Sequence, residues 1–173
     1  MVIIFYFLYF LAVLAFIAIL LELSFLVVIW TGAPYIATDK KKIADILKLA
    51  KIKKEEKVVD LGSGDGRLVI AFAKEGVEAH GYEINPFLVW WSKYKIKQAG
   101  LSKLAFIDRC NFWDRDVSKF DGVVFFASGN IMDRLETKLK KELKTSARII
   151  SNGFSFPNWV EEKKEGQLFL YKV

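Results

Sequence analysis

The chain has one cysteine, Cys110, and one histidine, His80. A single thiol excludes an internal disulfide, and the pair leaves no Cys/His transition-metal cluster. Residues 1 to 31 contain no lysine or arginine and a single acid, Glu22. A secretory signal peptide would need a basic leading region and a small-residue cleavage site, and neither is there. The rest of the chain carries all 26 basic residues against 19 acidic ones, a balance of +7. That balance fits either a lysine-rich solvated surface or a face for anionic lipid or nucleic acid. At 173 residues the chain is long enough for one domain and an appendage.

Val2 to Trp30 is almost entirely apolar. A bilayer core takes roughly 20 such residues as a helix, so residues 1–31 are expected to form a single membrane anchor. A buried core helix is rarely so apolar on every face, and a surface for a partner's membrane helix would need the same composition. Glu22 inside the span is read as either lying near the headgroups or facing a partner helix. Lys40, Lys41, Lys42, Lys48, Lys51, Lys53 and Lys54 follow. By the positive-inside rule they predict a single-pass protein with its C-terminal domain on the cytoplasmic side.

The centre of the chain is Val58-Val59-Asp60-Leu61-Gly62-Ser63-Gly64-Asp65-Gly66-Arg67. Lys57 to Leu61 reads as a strand, the glycines as a tight turn, and Leu68 to Ala73 as a helix. That succession is the nucleoside- or phosphate-binding corner of a doubly wound sheet. Glycine lets the backbone turn sharply and lets a ligand approach without a Cβ in the way. The dinucleotide fingerprint Gly-x-Gly-x-x-Gly is missing, because Arg67 stands three places after Gly64. Asp60 and Asp65 flank the turn and would repel a pyrophosphate but not a ligand with an amino group. Glu83 closes a second strand, where a carboxylate suits the two hydroxyls of a ribose. Asp-x-Gly-x-Gly-x-Gly with Glu83 looks like the S-adenosyl-L-methionine site of a class I methyltransferase.

Elsewhere, Thr31 to Thr38 reads as a linker, and Thr38 or Asp39 as the cap of a helix over 40–51. Ile43, Ile46, Leu47 and Ala50 recur at helical spacing, so that helix is expected to pack on the domain. Strands are predicted over 77–83, 104–107, 120–126, 147–151 and 167–173. Helices are predicted from Pro86 to about Ala99 and over 131–143. Phe87, Trp90, Trp91 and Tyr94 exceed what one core face takes; core packing is the primary reading, with cofactor cover or membrane contact for some. Alternating strands and helices predict an α/β fold with a mainly parallel central sheet. The division expected is 1–31 anchor, 32–56 linker and cofactor-covering helix, and 57–173 cofactor-binding domain.

Several stretches match one family in order: Pro34-Tyr35-Ile36-Ala37-Thr38, Asp60 to Arg67, and Gly81-Tyr82-Glu83-Ile84-Asn85. Asn111-Phe112-Trp113, Met132 with Leu135 to Leu139, and Phe154-Ser155-Phe156-Pro157-Asn158-Trp159 follow. Over about 33–160 the chain resembles the membrane-anchored class I lysine methyltransferases, whose mitochondrial members modify the ATP synthase c subunit and the adenine nucleotide translocase. The resemblance implies a Rossmann-like fold and methyl transfer from S-adenosyl-L-methionine to a protein lysine, with membrane proteins among the substrates it suggests. Two departures stand out. Asn111 replaces the family's usual Asp before Phe-Trp, and Ala127-Ser128-Gly129 replaces a stretch that often holds Pro.

For the cofactor the implied residues are Tyr35, Thr38, Asp60, Gly62, Ser63, Gly64, Asp65, Gly66, Glu83, Ile84, Asn111 and Phe112. Glu83 would take the ribose, Asp60 and Asp65 the methionine end, and Ile84, Asn111 and Phe112 the adenine. Tyr35, Trp113, Phe126 and Ser128 are the candidates for the lysine channel and catalysis. No dedicated base is visible, and no metal site is expected. The Asn/Asp-Pro-Pro-Tyr motif of base and glutamine N-methylation is absent after the fourth strand. RNA or a small metabolite as acceptor, and a non-catalytic membrane adaptor that keeps a nucleoside pocket, are the competing readings.

Overall fold

The computed structural model describes the backbone of residues 2–31 and 38–173, and the side chains of 4–20, 22 and 38–173. Two units result, Met1–Pro34 and Tyr35–Val173. The first is one helix, α1 (Val2–Thr31). Its described side chains are all exposed. Among the described residues no helix is long and apolar enough to cross a membrane. The expected single-pass anchor, with a cytoplasmic domain behind it, is overturned on that point.

The second unit is built on a seven-stranded sheet. Its strands are β1 (Lys57–Leu61), β2 (Glu78–Glu83), β3 (Ala105–Arg109), β4 (Gly122–Phe126), β5 (Arg148–Asn152), β6 (Lys163–Glu165) and β7 (Leu168–Lys172). The order is β3-β2-β1-β4-β5-β7-β6. The first five run parallel, and β7 and β6 close the sheet antiparallel. Its helices are α2 (Lys40–Ala50), α3 (Arg67–Lys74), α4 (Pro86–Gln98) and α5 (Met132–Glu142). α2, α3 and α4 share a core with Val58, Val124 and Ile150 on one face of the sheet. α5 shares another with Val59, Val123 and Ile149. Successive strand residues point to opposite faces, which is why neighbours in sequence divide between the two cores. The strand order reverses between β1 and β4, so the crevice beyond their C-terminal ends is the binding position of this architecture.

Local chemistry sets the helix starts. The Asp39 carboxylate accepts from Lys42 N at 2.9 Å, so Asp39 and not Thr38 caps α2. Asn85 accepts from Phe87 N and Leu88 N, and Pro86 follows as the first helical residue of α4. The aromatics of α4 depart from the core reading. Val89, Ser92 and Ile96 make its buried face. Phe87, Trp90, Trp91 and Tyr94 lie on the opposite side, 38% to 64% exposed, with neighbouring ring centroids 5.5 to 6.3 Å apart. β6 was not foreseen: Lys163-Lys164-Glu165 is a charged edge strand with no apolar alternation to betray it.

Gly81 of β2 decides how close the Gly-rich turn can come. Gly62 N and Ser63 N both donate to Tyr82 O, at 2.8 and 3.1 Å. A Cβ on Gly81 would fall 2.5 Å from Ser63 Oγ and 2.6 Å from Ile107 Cδ1. Gly81→Ala is therefore expected to push the turn off β2 and cost about 1–3 kcal/mol, the usual range for overpacking. Urea denaturation checks it; an unchanged midpoint would show that the turn has slack.

Candidate functional site

The turn between β1 and α3 has positive φ at Gly62, Gly64 and Gly66. Gly66 ends it as the N-terminal cap of α3, at φ 73° and with its Cα close to the Ser92 side chain of α4. Two hydrogen bonds from β2 and α4 fix its middle. Gly64 N donates to Glu83 Oε2 at 2.8 Å, and the Ser92 hydroxyl, 2.7 Å from Leu88 O of its own helix, also lies 3.0 Å from Gly64 O and shares its one proton between them. The other Glu83 oxygen accepts from Asn85 N at 2.8 Å. Glu83 thus joins the turn, the end of β2 and the start of α4.

The two flanking aspartates have opposite surroundings. Asp65 accepts from Arg67 Nε and Nη2, at 2.8 and 3.0 Å, and from Lys95 Nζ at 2.7 Å. Burial acts to raise its pKa, but these two cations hold the carboxyl well below the usual carboxylate range. Arg67 also donates to Thr38 O at 2.8 Å, tying the segment before α2 to the turn. Asp60 has no hydrogen-bond partner among the described residues. Burial, then the charges of Glu83 and Asp65, push its pKa up to about 7. Ser63 Oγ, buried in the same turn, is also unpaired. A Cβ on Gly62 would meet nothing within 4 Å. A buried unsatisfied hydroxyl and an unpartnered carboxyl beside open space at a strand end fit a ligand carrying hydroxyl and amino groups.

The other residues singled out in the sequence are spread around this turn. Tyr35 lies outside the described residues. Thr38 is half-buried and takes part through its carbonyl. Ile84 is exposed after β2. Asn111 Oδ1 accepts from Trp113 N at 3.2 Å, capping a short 3₁₀ turn. Phe112 and Trp113 pack together, centroids 4.8 Å apart, against the α5-side core. The Arg134 guanidinium covers the Trp113 ring at 4.1 Å. Phe126 ends β4, and the Ser128 hydroxyl donates to Asn130 Oδ1. His80 bonds Glu78 at 2.9 Å and stacks on Phe106. Lys95, Ser92 and Asn152 were not anticipated. Ser92 had a signal, a small polar residue within a helix of bulky aromatics; Lys95 was one lysine among many.

A family model described as the ANTKMT methyltransferase domain matches residues 60–163. The lysine N-methyltransferase of the ATP synthase c subunit from Xenopus laevis is 40% identical over 134 residues, 78% of this chain and 59% of that protein. The chain thus spans about three fifths of that relative's length. A protein-lysine N-methyltransferase of Saccharolobus islandicus is 35% identical over 128 residues, 73% of this chain and 80% of that one. Among solved structures, an RNA methyltransferase from Salinibacter ruber in complex with S-adenosyl-L-homocysteine superposes with a TM-score of 0.76. It is 26% identical and covers 80% of this chain and 94% of its own.

The unpaired Asp60 carboxyl makes a pH dependence. Between its ordinary value of 3.8 and about 7, the unfolded chain ionises at position 60 while the folded chain keeps its proton. Stability should therefore fall as pH rises through that window and stay low above it. Asp60→Asn removes this loss. Urea titrations near pH 5 and near pH 8 should show the wild type losing more stability than the variant, by a few kcal/mol at about 1.4 kcal/mol per pH unit. Equal losses would place the Asp60 titration elsewhere.

Proposed function

The chain belongs to the ANTKMT methyltransferase domain family, and on that premise we propose that it transfers a methyl group from S-adenosyl-L-methionine to a lysine side chain of a protein. The observation that carries the reading is the turn itself: glycines shaped for close approach, Glu83 at the next strand end, and a buried Asp60 without a partner. The relatives' names speak of lysine in the c subunit of ATP synthase and in protein generally. These make a protein lysine the acceptor we favour.

S-adenosyl-L-methionine supplies a methyl group made electrophilic by its sulfonium. The protein's part is position and electrostatics. Glu83, at the end of β2, would accept from the ribose hydroxyls while keeping the turn in place through Gly64. Asp60 would face the amino end of the methionine, where a cation offsets the burial and the Glu83 and Asp65 charges that keep it protonated. Asp65, already bound to Arg67 and Lys95, acts by holding the turn and not by direct contact, which narrows the role read from sequence. Ser63 and the peptides of Gly62, Gly64 and Gly66 line the same space. Thr38 and Tyr35 belong to the segment 32–56, which we assign as the cover of the 57–173 domain. Ile84, Asn111 and Phe112 remain the adenine candidates. Asn111 would offer an amide oxygen that its present bond to Trp113 N only half occupies. Tyr35, Trp113, Phe126 and Ser128 remain the residues proposed to meet the lysine. His80 is held by Glu78 in β2, so the lysine loses its proton to solvent, helped by burial of its terminus.

The test is transfer of labelled methyl from S-adenosyl-L-methionine to membrane and soluble fractions of the host, with Glu83→Ala beside the wild type. Label on a protein lysine supports the reading. Label on RNA, the substrate class named for the Salinibacter ruber structure, would replace it. Because Glu83 also bonds two backbone N–H groups, Glu83→Ala should lose cofactor binding in calorimetry and about 1.5–3 kcal/mol of stability as well. Normal cofactor binding by that variant would remove Glu83 from the site.

A further inference from the structure

Asn152 is the last residue of β5, directly beside Phe126, the last residue of β4. It is 4% exposed, and its Oδ1 has no hydrogen-bond partner among the described residues. Folded proteins rarely leave such an atom unsatisfied, and those that do often keep it for a ligand. The flanking strands offer it nothing polar: Phe126 stands on one side and Leu168 on the other. Val58, Val124 and Ile150 face the same core. Two residues further along each strand, Asp60, Phe126 and Asn152 therefore share that face at the C-terminal edge of the sheet. The orphaned oxygen thus sits at the edge where this architecture takes its ligands, two strands from the Gly-rich turn.

Phe126 is the strand neighbour of Asn152, and the Phe154 ring lies against the turn after β4; glycines make room for both. A Cβ on Gly153 would come 2.8 Å from Phe126 Cε2, and one on Gly129 would come 3.3 Å from Phe154 Cδ1. The Phe126 ring thus lies on the loop after β5, and Phe154, itself in that loop, lies on the turn after β4. Both stay open to solvent, Phe126 at 43% and Phe154 at 47%. Exposed rings on the loops beside a buried, uncharged, unpartnered acceptor match an alkylamine: a hydrocarbon stem ending in N–H donors.

We propose that Asn152 Oδ1 accepts a hydrogen bond from the ε-amine of the target lysine, with Phe126 and Phe154 flanking its stem. The inference rests on the lysine-methylation reading above. A neutral acceptor suits the step. A carboxylate would favour the ammonium form, whereas an amide oxygen orients the free amine without charging it. The amine lone pair forms the new N–C bond, and the methyl–sulfur bonding pair returns to sulfur, which leaves as a neutral thioether. The resulting ammonium gives a proton to solvent, and Asn152 takes none.

Three variants test this, each measured for cofactor binding by calorimetry, thermal unfolding, and label transfer to the host protein that the wild type methylates. Asn152→Leu should bind S-adenosyl-L-methionine as the wild type does and unfold at the same or a higher temperature, because it removes an unsatisfied buried atom. Its turnover should nonetheless fall about 10- to 100-fold, as loss of one well-placed hydrogen bond predicts. Asn152→Ala should show the same loss of turnover. Asn152→Asp should keep turnover only at higher pH, with the acidic limb of its rate profile moved up by about one pH unit. Wild-type turnover in Asn152→Leu, a parallel loss of stability and cofactor binding, or an unmoved limb in Asn152→Asp would overturn the role of Asn152 alone. A wild type that labels RNA, or nothing, would overturn the lysine reading with it.

Discussion

The carboxylate of Glu83 accepts two backbone N–H groups that belong to different turns, Gly64 N and Asn85 N, each at 2.8 Å. Everything at the binding edge depends on that bridge. It holds the glycine turn after β1 against the end of β2, and it places the Asn85 cap from which α4 starts. Ser92, one side chain inside α4, returns the contact with a hydroxyl shared between Leu88 O and Gly64 O. A hydrogen bond to a charged group is stronger than a neutral one, so a single buried carboxylate can fix three elements at once. The glycine at 81 makes room for this by leaving out a Cβ that would strike Ser63.

The charges around the turn follow from that placement. Asp60 and Asp65 are almost equally buried, 9% and 8% exposed, yet their pKa values move in opposite directions. Asp65 has Arg67 and Lys95 in contact, and Asp60 has only the fields of two other carboxylates. Two like groups separated in this way by their neighbours are a common arrangement where ligand chemistry takes place. Asn152, at the other side of the same sheet face, is a second buried group, its amide oxygen without a partner among the described residues. Sites of this kind exchange stability for binding, since each buried unsatisfied group costs about 1–3 kcal/mol.

The sheet was legible in the sequence because its strands are short apolar runs separated by glycine turns and amphipathic helices. β1 through β5 and β7 fall within a few residues of their expected spans, and the strand–turn–helix corner lies where its spacing put it. Family membership was legible for the same reason, since the glycine motif, Glu83 and the Phe-x-Phe-Pro-x-Trp ending are local strings. What local strings cannot carry is which face a side chain takes. Phe87, Trp90, Trp91 and Tyr94 are apolar, yet Val89, Ser92 and Ile96 won the buried side of α4. A long apolar N-terminal run likewise suggested a span that no described helix supports.

The sequence by itself determined the order of elements, the turn and its acids, because each rests on contacts between near neighbours. The tertiary structure alone decided which charges meet. Lys95 reaches Asp65 across 30 positions, and Arg67 reaches Thr38 across 29. Asn152 and Phe126 stand side by side only because β4 and β5 pair in parallel register. Hydrogen bonds and burial depend on distance through space, and a chain's spacing fixes that distance only within a turn or two of helix or along one strand.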